Sequence, residues 1–184
     1  MHRSFVALFA LSALSACVGS VAPTNGQLDP DGPDPEAIDA CVALATTFRD
    51  HCAASNGSTD ERVHLWNGYV ALCRTGNTDL LLASMQCMDS TQCRAFSDAN
   101  EGNACLDALH ASMQPAPISH WLEGFCSRCG SPDCPVGRAE IIPYLPASEE
   151  PSLATCSASA ACTIDGVVAA CGASVPQLTP FATP

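Results

Sequence analysis

The residues of this chain with the most chemistry to offer are its thirteen cysteines. The densest group is Phe125-Cys126-Ser-Arg-Cys129-Gly-Ser-Pro-Asp-Cys134. A Cys-x-x-Cys pair can cycle as a redox dithiol, supply half a zinc site, or contribute two structural half-cystines. The redox reading needs a preceding strand and a parallel sheet, and neither is legible here. Arg128 would favour a thiolate by its charge. Zinc would need a further ligand such as His120 or Cys156. Covalent haem needs a histidine after the second cysteine, and Gly130 stands there. The other histidines beyond the N-terminus, His51, His64 and His110, are scattered and form no metal-binding pair. No Gly-x-Ser-x-Gly elbow or phosphate loop occurs. No catalytic residue, metal or cofactor is therefore assigned, and the cluster reads as structural disulfide.

Cys17 stands apart. Met1-His2-Arg3 is a short basic start, and Phe5 to Ala16 is an uncharged, almost wholly apolar run. Crossing a bilayer takes about 20 apolar residues, so the run is too short for a span and suits a secretory signal. It ends in Leu14-Ser15-Ala16-Cys17, which resembles the lipobox of bacterial lipoproteins. The resemblance implies a diacylglyceryl group on the Cys17 sulfur, cleavage before Cys17 and acylation of the new amino group. Val18, where aspartate would signal retention in the inner membrane, implies the outer membrane. The alternative is plain secretion after cleavage near Ala22. Either way residues 1–16 are lost.

Twelve cysteines then remain: Cys41, Cys52, Cys73, Cys87, Cys93, Cys105, Cys126, Cys129, Cys134, Cys156, Cys162 and Cys171. They all fall within residues 36–175, at a density typical of an exported disulfide scaffold. Six bridges are expected. The chain has six Phe, two Trp and two Tyr, a thin supply of core aromatics that bridges would supplement. Nineteen acidic residues face seven arginines and no lysine. An anionic surface repels phosphate backbones, so nucleic acid is excluded as a partner. Attachment to a membrane has to come from the N-terminal lipid, not from a basic patch.

Several elements must position these cysteines. Residues 17–35 carry the lipidated cysteine and a Pro/Asp-rich linker too poor in apolar residues to fold. Asp29 to Glu36 places carboxylates around a glycine, faintly like a calcium loop, but the spacing fails the EF-hand pattern and reads as acidic linker. Beyond it the chain reads as all-α. Asp34 caps a first helix with Pro35 at its first position, and Ile38, Cys41, Ala45, Phe48 and Cys52 form one stripe. Asn56-Gly57 stops it. Ser58-x-x-Glu61 is a capping box for a second helix with a stripe of Val63, Trp66, Val70 and Cys73. Thr78-Asp79 opens a third that ends near Cys87. Shorter helices are expected over residues 92–99, 104–113, 118–129 and 163–171. Pro143 and Pro146 break IIPYLP into a loop or short turn. Residues 176–184 read as a loose proline-rich tail.

Cys87-x-x-Ser90-x-x-Cys93 and Cys156-x-x-Ser159-x-x-Cys162 are the same motif, each followed by a helix with a further cysteine, Cys105 or Cys171. The middle serine is placed to cap that helix. A duplication would make two similar helical subdomains, divided near residues 115–117. Antiparallel packing of the first two helices favours Cys41 with Cys73. A third helix folding back favours Cys52 with Cys87, and Cys93 can reach Cys105 across Ser97 to Gly102.

The mature domain resembles cysteine-rich lipoproteins of the bacterial cell envelope, helical and tethered, a resemblance that implies no activity. The expected function is a lipid-anchored, non-enzymatic module that binds a protein, a glycan or a small ligand. The alternatives are a hydrolase whose site assembles only in three dimensions, and a metal or redox protein using Cys126, Cys129 and Cys134.

Overall fold

The computed structural model describes residues 34–55, 60–93, 103–112, 118–130 and 141–182. The lipobox with Cys17, the linker before Asp34, Asn56-Gly57, the capping residue Ser58, the helix expected to begin near Gln92 beyond residue 93, the boundary at 115–117 and Cys134 lie outside them. Among the described residues all regular structure is helical: α1 (Pro35–Ala54), α2 (Asp60–Thr75), α3 (Thr78–Gln86), α4 (Ala104–Ser112), α5 (Ser119–Cys129), α6 (Glu150–Cys156) and α7 (Ile164–Cys171). Short 3-10 turns lie at Ile142–Tyr144, Ala147–Glu149, Ser157–Ser159 and Pro176–Phe181.

The start of α1 follows from two residues. The Asp34 carboxylate accepts the Glu36 amide, and Pro35 brings the right φ at no cost in hydrogen bonds. The buried stripe of α1 is Cys41, Ala45, Phe48 and Cys52. α2 returns against it, and Phe48 stacks on Trp66 with ring centroids 4.4 Å apart and planes 6° from parallel. The buried face of α2 is Trp66, Gly68, Tyr69, Leu72 and Cys73, with Val63 and Val70 only half-buried at its flanks. The expected stripe is thus turned around the helix, because α2 is covered from a second side. Asn77, not Thr78, caps α3: its Oδ1 accepts the Leu80 amide, while the Thr78 hydroxyl donates to the Cys73 carbonyl.

That second cover is the C-terminal segment, and here the expectation of a loose tail is wrong. Pro176–Phe181 forms a 3-10 turn with Leu178 and Phe181 buried. Val175, Leu178 and Phe181 recur every three residues, the period at which a 3-10 helix lines up its side chains. Phe181 meets the edge of Tyr69 at 5.5 Å between centroids. Its ring lies where a side chain at position 68 would start: a Cβ on Gly68 would fall within 3 Å of three Phe181 ring atoms. Gly76 makes a similar concession to the Tyr144 carbonyl.

IIPYLP forms one 3-10 turn, Ile142–Tyr144, and Ile142, Tyr144 and the following Leu145 are buried; a second turn, Ala147–Glu149, follows Pro146. α6 is an element the sequence reading missed. Seven residues are too few to show a period, although Glu149-Glu150-Pro151 is a helix start. Buried residues of α1, α2, α3, α5, α6 and α7 join in a single core. The C-terminal 3-10 turn, Pro176–Phe181, packs on the second helix as part of that core.

Candidate functional site

Five bridges connect described cysteines, and helix ends position them. Cys41 near the start of α1 meets Cys73 near the end of α2, Cα atoms 5.7 Å apart, as the antiparallel hairpin requires. Cys52 in the last turn of α1 joins Cys93. Cys87, which caps the end of α3, joins Cys105 in the first turn of α4. Cys129, the last residue of α5, joins Cys162, and Cys156, the last of α6, joins Cys171, the last of α7. Cys126 is also disulfide-bonded; all ten other described cysteines are taken by these pairs, so its partner lies outside the described residues.

Two expected pairings are corrected. Cys52 pairs with Cys93 and Cys87 with Cys105, the reverse of the assignment by helix direction. The reason is the turn after α3. Met88 donates to the Met85 carbonyl and Gln92 to the Asp89 carbonyl, so the chain reverses, and it is Cys93 that meets the end of α1. The Arg62 guanidinium holds it there by donating to the Cys93 carbonyl at 2.5 Å. The middle serines do not cap the following helices either. Asn103 caps α4 by accepting the Cys105 and Leu106 amides, and Thr163 caps α7 by accepting the Gly166 amide.

The repeated motif is nevertheless wired alike in both places. Its first cysteine bonds forward to a later helix, over 18 residues from Cys87 and 15 from Cys156. Its second bonds backward to the end of an earlier helix, over 41 residues from Cys93 and 33 from Cys162. Matching connectivity is a stronger sign of an internal repeat than matching letters, since twelve cysteines in one chain can pair in very many ways.

Cys126 and Cys129 are not bonded to each other. Cys129 belongs to Cys162, so the Cys-x-x-Cys pair is no redox ring and Cys129 has no thiolate to give a metal. Arg128 serves packing instead of thiolate chemistry: it donates to the carbonyls of Ser157 and Ala160 at 3.2 and 3.0 Å and lies 4.7 Å over the Phe125 ring. Trp121 is equally committed. Its indole N–H donates to Ser157 Oγ at 2.8 Å, and that hydroxyl donates to the Leu153 carbonyl at 2.6 Å. The Glu150 carboxylate accepts the Trp121 amide. Arg128, Glu150 and Ser157 thus form a clamp between α5 and α6. Sequence reasoning had no access to it, since its members are about 30 residues apart and nothing local pairs them.

The remaining polar groups do not converge. His64 Nε2 lies 3.1 Å from the Ala182 carbonyl, His51 is half-buried at the end of α1, and His120 is exposed on α5. Ser84 Oγ is buried in α3 without a hydrogen-bond partner. A shallow, open depression is lined by Pro151, Ser152, Thr155 and Ser174, none of them titratable near neutral pH. Among the described residues no three His, Cys, Asp or Glu gather as metal ligands, and no single helix is long and apolar enough to cross a membrane. What the arrangement does chemically is cross-link. No family model matches this chain, and neither a curated protein nor a solved structure does.

Proposed function

We propose that the protein is a lipid-anchored, non-enzymatic binding module of a bacterial cell envelope, held rigid by disulfides and presented on an acidic tether. The observation that carries this reading is the commitment of every described cysteine to a bridge. Bridges in this number form and persist in an oxidising compartment outside the cytoplasm. Leu14-Ser15-Ala16-Cys17 supplies the anchor through its resemblance to a lipobox, and Val18 favours the outer membrane. The net charge of −12 turns away nucleic acid and anionic lipid, leaving a protein, a glycan or a small neutral or cationic ligand as the partner.

Intact mass spectrometry of membrane-extracted protein, beside fractionation of wild type and Cys17→Ser, tests the reading. The wild type should start at Cys17, carry lipid mass and weigh twelve hydrogens less than its reduced form, the deficit of six bridges. Cys17→Ser should leave the membrane or remain unprocessed, with the same bridges. An unlipidated wild type in the soluble fraction would overturn the anchor. Turnover of ester, glycoside or peptide substrates, abolished by one polar substitution, would overturn the non-enzymatic reading.

A further inference from the structure

The bridges differ in how they are shielded. Cys41, Cys52, Cys73 and Cys171 are buried, six more described cysteines are half-buried, and Cys105 is exposed. Of the five bridges between described cysteines, four place at least one member in the apolar core or packed against it. Cys87–Cys105 places neither there. The helix it secures is also weakly built. α4 has nine residues, and an isolated helix shorter than about 12–15 residues is marginal in water. Leu106 is buried and Leu109 half-buried, and the Asn103 amide adds a bond to the Cys87 carbonyl at 3.0 Å.

We propose that Cys87–Cys105 is a thiol-exchange site, the bridge that a dithiol oxidoreductase of the envelope opens first. A thiolate of the reductant attacks Cys105 Sγ. The Cys87–Cys105 bond breaks, and its electron pair leaves on Cys87 Sγ, which takes a proton. The second thiol of the reductant then attacks the mixed disulfide. It departs oxidised, leaving Cys87 and Cys105 as two thiols. Rates of such exchange follow access to the attacked sulfur. Opening frees the start of α4 from the end of α3, while Cys41–Cys73 and the stacked Phe48 and Trp66 stay sealed in the core. The corresponding bridge of the second motif, Cys156–Cys171, does not respond, because Cys171 is fully buried. The inference goes beyond the binding reading and holds whether or not Cys17 carries lipid.

The test is reduction of the native full chain by graded dithiothreitol, with acid quench, alkylation and peptide mass mapping. Cys87 and Cys105 should be labelled first, at least about tenfold faster than Cys156 and Cys171. A Cys87→Ala/Cys105→Ala variant should lose the fast phase and keep the slower ones. Should that variant not fold, the labelling order in the wild type decides by itself. First labelling of any other pair, or reduction of all bridges in one cooperative step, overturns the proposal.

Discussion

The two copies of the Cys-x-x-Ser-x-x-Cys motif sit in unlike surroundings. The first is preceded by helices of 20, 16 and 9 residues and followed by one of 9, with Phe48 stacked on Trp66 and Trp66 tilted against Tyr69. The second is preceded by helices of 11 and 7 residues and followed by one of 8. There the polar clamp of Arg128, Glu150, Trp121 and Ser157 takes up part of what long apolar stripes do in the first half. Identical wiring thus closes both a helix-rich and a helix-poor structure. Short helices bury little on their own, so the second half depends more on its covalent links and its buried polar bonds.

The strongest challenge to this contrast is to cut the same bridge in each half. Cys129→Ala/Cys162→Ala should lower stability by about 3–4 kcal/mol and strip amide-exchange protection from α5, α6 and α7. Cys52→Ala/Cys93→Ala opens a loop of similar length, yet should leave α1 and α2 protected, because Cys41–Cys73 and the aromatic stack remain. Equal loss of protection in both halves would erase the distinction. Arg128→Lys should cost about 2 kcal/mol, read as a fall in the denaturant midpoint, since the shorter lysine cannot both reach the two carbonyls that one guanidinium nitrogen now serves and lay a flat cation over Phe125. The smallest effect is expected at the caps. Thr163→Ala should cost about 1 kcal/mol by thermal unfolding, and Thr163→Ser much less, because the hydroxyl that accepts the Gly166 amide is kept.

The longest helices were legible because their residues carry their own instructions. Asp34-Pro35 starts α1, its cysteines fall on one face with Phe48, and the hairpin alone brings Cys41 to Cys73. What failed were decisions made at a distance. Whether Cys87 or Cys93 reaches α1 depends on a reversal at Met88 to Gln92 that no helix period encodes. Asn103 and Thr163, not Ser90 and Ser159, cap the two helices because they stand directly before Ala104 and Ile164, where the helices begin. The tail was misjudged from its prolines, although Val175, Leu178 and Phe181 already stood at a three-residue period. For the candidate site, the participation of the cysteines was legible. The clamp on Ser157 was not, since an arginine beside two cysteines invites a thiolate argument before a packing one.

The docking of the C-terminal segment sets an order of events during synthesis. His64 faces the Ala182 carbonyl across 118 positions of the chain, and Gln177 reaches the Thr75 carbonyl across 102. A chain made from its N-terminus therefore presents α2 long before the residues that seal it exist. The hairpin of α1 and α2 can oxidise early, but one face of Tyr69 stays wet until Phe181 arrives. Val175, Leu178 and Phe181 close that seam, so a chain interrupted before Val175 would keep its early cross-links and leave the apolar side of Tyr69 uncovered.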